Sequence, residues 1–340
     1  MYDYHLPQEL IAKEPASPRD LSKLFIYDTA TDKITFDRFE NLDKYLPQNS
    51  FLVMNKTKVI PARLKVRKET GGTVELLLLI NELQPGDTLI KGLSDRKILP
   101  GQKLHISEKH LLEVEKQDEK IFYFKPNFPL EDLTAVLLEY GITPIPKYIK
   151  ETPLTESDLR EKYQTVFAKN PGSVAAPTAS LHFTPRVFKK LEAKQIPHLF
   201  VNLHVGLGTF APITEENLRS KKLFEEFYEI EKSTEDEIKE LKQQGKKLVA
   251  AGTTTVRTLE SAAKFKKSSG ATDIFIFPPF EFRAVDALIT NFHIPNSSLM
   301  MLVEAFLQFK HSKKHLHELY EIAIKENFRF YSFGDAMLIL

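Results

Sequence analysis

The chain of 340 residues has room for two domains of ordinary size. Its 42% apolar and 27% charged content excludes a disordered or fibrous protein. The balance of 47 Lys and Arg against 46 Asp and Glu excludes a uniformly basic nucleic-acid coat, and the lack of Cys excludes disulfide scaffolds, thiolate metal sites and Cys nucleophiles.

The start, MYDYHLPQEL, has neither the basic opening nor the apolar core of a secretory signal. The most apolar stretch, Leu299 to Phe309, is broken by Glu304 and too short to span a bilayer. A soluble cytoplasmic protein is expected.

In chain order, Leu24–Tyr27 and Phe51–Met54 read as short buried strands, with a helical turn at Asp43–Leu46 between them. From Leu64 to about Lys150 short apolar runs follow at Val74–Ile80, Leu104–Ile106, Leu111–Val114 and Ile121–Phe124. Turn signals such as Gly71-Gly72, Pro85-Gly86-Asp87 and Pro100-Gly101 separate them, the pattern of a small antiparallel sheet or barrel. Leu133, Val136, Leu137 and Tyr140 mark one helix face, ended by Gly141.

Beyond residue 160 strands alternate with helices. Thr184-Pro185 predicts a helix start, His198–Val205 a strand, and Thr234 with Glu237 a capping box for a helix ending at Gly245. Lys247–Ala251 predicts a strand, Val256–Lys264 a helix and Ile274–Phe277 a strand. Leu299–Phe309 predicts a buried helix, and Leu316, Leu319, Tyr320 and Ala323 an amphipathic one. The first sixty residues are too few to bury a core alone and are expected to rejoin the later α/β chain. The expectation is a discontinuous mixed α/β domain over 1–63 and 151–340, with an inserted small antiparallel β-barrel domain over 64–150.

Five segments look odd for plain structure. The first, Asn55 to Arg63 and on to Lys68, carries Lys56, Lys58, Arg63, Lys65, Arg67 and Lys68 and no acid. At a strand end it reads as a phosphate or RNA-backbone binder, with a solvated basic loop as the plain alternative. The second, Ser173 to Thr184, puts small and polar residues, among them Pro177 and Thr178, before a helix, with His182 as a base or hydrogen-bond donor. For a lone His a structural role is the commoner one. The third, His204-Val-Gly-Leu-Gly-Thr209, brings two glycines after a strand. A dinucleotide fingerprint needs a third Gly and an immediate helix, so that reading is rejected.

The fourth, Gly252-Thr-Thr-Thr-Val-Arg257, stands between a strand and a helix and suits an anion, carboxylate or phosphate. The fifth joins Thr290 to Ser297 with Tyr331 to Asp335, mixing aromatic and polar groups as a pocket for a flat base would. No nucleophile elbow, Walker loop or HExxH occurs, and ten scattered His without Cys argue against a built-in zinc site.

Together and in this order the segments resemble the S-adenosylmethionine:tRNA ribosyltransferase-isomerases of queuosine biosynthesis. The resemblance rests on LPQELIAKEP, VIPARL, YQTVFA, VAAPTASLHFT, LHVGLGTF, AGTTTVRTLES, VDALITNFHIP and FGDAML, which span nearly the whole chain. It implies an α/β domain built from both chain ends with an inserted β-barrel. It implies transfer of the ribosyl part of S-adenosylmethionine onto 7-aminomethyl-7-deazaguanine at the wobble position of tRNA with a GUN anticodon. The product is epoxyqueuosine; adenine and methionine leave. No metal or other cofactor is implied, since S-adenosylmethionine is a consumed co-substrate, and a monomer is.

Five residues are candidates for proton transfer: His182, His204, His293, Glu226 and Asp335. Substrate binding is expected at Asn55, Lys58 and Arg63; at Pro177, Thr178 and Thr184; and at Gly206, Gly208, Thr209 and Phe210. It is also expected at Gly252, Thr253, Thr254, Thr255 and Arg257, and at Asn291, Phe292, Ser297 and Tyr331. The chain departs from the family pattern at Lys56, Lys58, Lys221, Phe224 and Glu304, and matches poorly around Leu93–Leu99. Rival readings are another S-adenosylmethionine-dependent enzyme, such as a methyltransferase or nucleosidase, and a tRNA-binding protein without turnover.

Overall fold

Strand β1 (Lys23–Asp28) pairs antiparallel with β2 (Lys33–Arg38). Strand β3 (Ser50–Asn55) is buried at every residue, as a central parallel strand covered on both faces must be. A computed structural model describes residues 2–84, 86–149, 151–206 and 213–340.

The basic stretch after β3 is not one loop. It forms β4 (Thr57–Val59) and then β5 (Arg63–Lys68), the first of six barrel strands. The reason is a period of two: Leu64 and Val66 point into the barrel core while Lys65 and Arg67 stay exposed. Strands β6 (Thr73–Leu78), β7 (Ile90–Ser94), β8 (Lys103–His105), β9 (Leu111–Asp118) and β10 (Ile121–Pro126) follow. They close antiparallel in the order β10-β7-β6-β5-β8-β9, which leaves no open sheet edge. The short 3-10 helix Ile80–Glu82 rests against the α/β strands, where a Cβ on Gly206 would lie 2.4 Å from Asn81 Nδ2.

Helix α1 (Leu133–Tyr140) ends at Gly141 as expected, and α2 (Glu156–Lys162) opens with a Thr155–Asp158 capping box. Strand β11 (Asn170–Ser173) pairs with β4. Helix α3 (Pro185–Ala193) starts as predicted, with the Thr184 hydroxyl accepting from Val187 N. Strand β12 (His198–Leu203), helix α4 (Glu215–Ser220) and strand β13 (Lys222–Glu229) come next. Lys221 closes α4 in the left-handed conformation at φ 56°, and Phe224 is exposed on β13.

Helix α5 (Lys232–Gln243) begins before the predicted Thr234 box. Glu231 is its N-cap, so Thr234 falls inside the first turn. Strand β14 (Lys247–Ala251) has the predicted bounds. Helix α6 (Thr253–Phe265) starts three residues ahead of the expected Val256 because Gly252, at φ +95°, turns the chain sharply from strand to helix. Strand β15 is Ser269–Ile274, not Ile274–Phe277; its polar residues serve as an edge partner of β13. Strand β16 (Ala287–Asn291), helices α7 (Ser298–Phe309) and α8 (Leu316–Lys325), and strand β17 (Ala336–Ile339) complete the chain.

The main sheet runs β15-β13-β12-β3-β14-β16-β17-β1-β2. Both chain ends therefore share one sheet, and the barrel strands lie between them in sequence. The centre, β12-β3-β14-β16, is parallel, and apolar clusters cover both faces. Glu304, puzzling amid apolar residues, accepts from Leu316 N at 2.8 Å and Gln308 Nε2 at 2.9 Å and faces His315 Nδ1 at 2.7 Å. It places a carboxylate at the N-terminus of α8, where the helix dipole favours one. The His315 pKa is raised by that hydrogen bond and charge. Among the described residues no helix is long and apolar enough to cross a membrane.

Candidate active site

The C-terminal ends of β14 and β16 open a cleft of about 590 Å³ of empty space, part of it open to solvent. One wall is the first turn of α6. Its N-cap, Gly252, has no side chain to satisfy the first-turn N–H groups. Thr254 Oγ1 is buried and has no hydrogen-bond partner among the described residues, and Thr253 and Thr254 line the cleft. Thr255 does not line it; its hydroxyl bonds back to Ala251 O at 2.7 Å.

A second wall is the loop before α3. Pro177 and Thr178 line the cleft, and Thr178 Oγ1 donates to Asn291 Oδ1 at 2.8 Å. The end of β16 supplies Asn291, and the segment after it Phe292, His293 and Ser297. His293 is buried; its Nε2 lies 2.8 Å from Thr290 Oγ1, and its backbone N–H donates to Tyr320 Oη at 2.8 Å. Burial pushes its imidazole down to about 3, so it is neutral at physiological pH. The chain terminus adds Tyr331, held at φ 72°, and Ser332.

Four of the five proton-transfer candidates do not line the cleft. His182 sits behind its wall, buried, with Nδ1 2.8 Å from Ser22 Oγ and Nε2 3.4 Å from Asn291 Nδ2. His204 is engaged at both ring nitrogens, by Thr57 Oγ1 at 3.1 Å and Asn202 Nδ2 at 3.2 Å, and burial lowers its pKa. Glu226 accepts from Gly206 N at 3.0 Å and forms a buried ion pair with Arg257. Asp335 is a structural clamp: it accepts from Arg329 Nη2 at 2.9 Å, Arg329 N at 2.8 Å and Lys23 N at 3.1 Å.

Other expected binding residues also lie elsewhere. Asn55 is fully buried and joins β3 to β12 through Leu203 N and O, so it is out of reach of a phosphate. Arg63 pairs with Glu75 and donates to Ile145 O at 3.1 Å, whereas Lys58 is exposed. Thr184 donates to Asp20 Oδ2 at 2.6 Å besides capping α3. Gly206 has a packing reason in Asn81. Gly208, Thr209 and Phe210 lie outside the described residues. Tyr148, Thr290 and Ser332 are among the lining residues that were not expected individually. Thr290 and Ser332 belong to segments already singled out; Tyr148 stands in no motif. Among the described residues no group of three or more His, Asp or Glu is placed to hold a metal ion.

A family model described as queuosine biosynthesis protein matches residues 1–339. The chain belongs to that family. Among its relatives, the S-adenosylmethionine:tRNA ribosyltransferase-isomerase of Thermotoga petrophila is 44% identical, over 100% of this chain and 98% of the relative. The protein of the same name from a Sulfurihydrogenibium species is also 44% identical, with the same coverage. A solved structure of S-adenosylmethionine tRNA ribosyltransferase from Thermotoga maritima aligns with a TM-score of 0.55 and 33% identity, covering 100% of this chain and 99% of that one. The cleft of this queuosine-family chain is thus lined by three of the blocks that carried the resemblance, VAAPTASLHFT, AGTTTVRTLES and VDALITNFHIP.

The buried imidazoles make stability pH-dependent. His182 falls from 6.5 to about 4 because burial disfavours its charged form. The unfolded chain takes up a proton that the folded one excludes, so stability is full above pH 6.5 and lost as pH falls towards 4. This group alone accounts for on the order of 3 kcal/mol across that window. Urea midpoints measured from pH 7 to pH 4 should fall accordingly, and the fall should be shallower in His182→Gln. Identical slopes in the two proteins would refute the assignment.

Proposed function

We propose that the protein transfers and isomerises the ribosyl moiety of S-adenosylmethionine onto 7-aminomethyl-7-deazaguanine at the wobble position of tRNA with a GUN anticodon, giving epoxyqueuosine-tRNA. Adenine and methionine are released, S-adenosylmethionine is consumed as co-substrate, and the enzyme works as a cytoplasmic monomer without a metal. The observation that carries the reading is 44% identity over the full chain with relatives of that name. The cleft supports it chemically.

A sulfonium acidifies the adjacent carbon. A base removes that proton, the ylide expels adenine, the aminomethyl nitrogen attacks the anomeric carbon, and the epoxide closes as methionine leaves. In this reading the first turn of α6, Gly252 to Thr255, receives the methionine carboxylate on its N–H groups. Tyr331 faces the sulfonium. His293 is the proton-transfer candidate that reaches the cleft. Because Asn55 and Arg63 are engaged inside the fold, phosphate tracking falls to the exposed Lys58, Lys65 and Arg67.

The test is adenine release from S-adenosylmethionine by purified protein, with and without anticodon-loop RNA bearing the modified base, followed by mass spectrometry of the RNA. RNA-dependent release with the mass gain of the epoxycyclopentane group is expected. Release without RNA would make the protein a nucleosidase. Tight RNA binding with no release would make it a tRNA-binding protein that has lost the chemistry.

A further inference from the structure

The lining of the cleft contains no Asp, Glu, Lys or Arg among the described residues, and burial keeps His293 neutral. A cation bound there meets no carboxylate from that lining. What the lining does offer is π-density. Tyr148 and Tyr331 pack edge to face, with ring centroids 4.8 Å apart and planes at 61°. The Tyr148 hydroxyl is hydrogen-bonded to Ser332 Oγ at 2.6 Å, which anchors the polar end of the ring. Tyr331 is held by bonds from its N–H to Phe292 O and from Gly334 N to its own carbonyl, each 3.0 Å. Its φ of 72° is one that a bulky side chain rarely adopts. Backbone held in such a region marks a side chain whose direction is fixed by its surroundings.

The same cleft therefore has two poles. The first turn of α6 attracts negative charge through its N–H groups. The Tyr pair attracts positive charge through ring quadrupoles, and it does so without a counter-ion that would also bind other cations from a distance.

We infer that Tyr148, together with Tyr331, is a specificity-determining wall that binds the sulfonium of S-adenosylmethionine and discriminates against neutral thioethers. The inference rests on reading this cleft as the S-adenosylmethionine site, and it adds Tyr148, a residue that stands in none of the recognisable motifs. It also gives the site a direction. When methionine leaves, the sulfonium has become a thioether, so the wall loses its hold on the product as the chemistry finishes. The demethylated analogue S-adenosylhomocysteine, which lacks the methyl group and with it the charge on sulfur, is accordingly a poor competitor.

The test measures binding of S-adenosylmethionine and S-adenosylhomocysteine to the full-length protein by calorimetry. Two variants keep the shape of the ring: Tyr148→Phe, and replacement of Tyr148 by trifluorophenylalanine, which withdraws charge from the ring face. Both lose the hydroxyl bond to Ser332 equally, so their difference isolates the ring charge. Relative to Tyr148→Phe, the fluorinated protein should bind S-adenosylmethionine about 3- to 30-fold more weakly, with S-adenosylhomocysteine unchanged. Equal weakening of both ligands, or no change in either, would overturn the inference. Failure of the unaltered protein to bind S-adenosylmethionine at all would instead overturn the reading of the cleft, a separate result.

Discussion

Replacing Arg257 with Met is expected to destabilise the protein by about 3–5 kcal/mol, the usual cost of taking one member from a buried ion pair. The side chains of Arg257 and Glu226 are 4% and 1% exposed. Removing the guanidinium keeps the carboxylate in the interior without the cation that faces it, and desolvation of that charge is the dominant cost. The damage should spread to function, because Arg257 belongs to the first half of α6, whose N-terminus lines the cleft, and Glu226 also holds Gly206 N. The double variant Glu226→Gln/Arg257→Met removes both charges and should lose less than the sum of the single changes. Urea unfolding of Arg257→Met, Glu226→Gln and the double variant measures this coupling. A loss below about 1 kcal/mol in Arg257→Met would put the pair among weak surface contacts and sink the argument.

His293→Ala should lower kcat about 10²–10⁴-fold, the range for loss of a positioned proton-transfer group. Binding of S-adenosylmethionine should change far less, because His293 supplies one position in a lining of many residues. His182→Ala is the contrasting case. Its ring is tied to Ser22 and Asn291 and does not line the cleft, so turnover at moderate temperature should survive even though stability falls. The pH profile separates the two roles further. Burial keeps His293 neutral down to about pH 3, so kcat/KM should show no acid limb near 6.5 from this group. Full turnover by His293→Ala, with tRNA and S-adenosylmethionine both saturating, would remove it from the chemistry.

Local patterns were legible where the signal was local. Strand β14 follows from its apolar run, the start of α3 from Thr184-Pro185, and most barrel strands from short apolar runs between turn signals. Where two signals competed, the stronger-looking one misled. Six cations between Asn55 and Lys68 drew attention to charge and hid the alternation that makes β5. A capping pattern at Thr234 and Glu237 lost to an earlier start at Lys232, since any good helix former can extend the first turn backwards. Residues 269–273 carry little apolar signal of their own and become a strand because β13 provides a neighbour to pair with.

For the candidate site the boundary falls in a different place. The chain by itself determined the family, the α/β-plus-barrel class, and which segments carry small, hydroxyl and aromatic residues out of keeping with a plain core. These are properties of composition, spacing and order along the chain, which one dimension can hold. Tertiary structure decided which of the five proton-transfer candidates reaches the cleft, because burial and partners come from residues far away in sequence. Ser22 and Asn291 close around His182, Arg329 and Lys23 around Asp335, and Arg257 around Glu226. The pKa of an imidazole and its access to a substrate are set by that enclosure, and no feature of the residues next to it in the chain specifies how it will be enclosed.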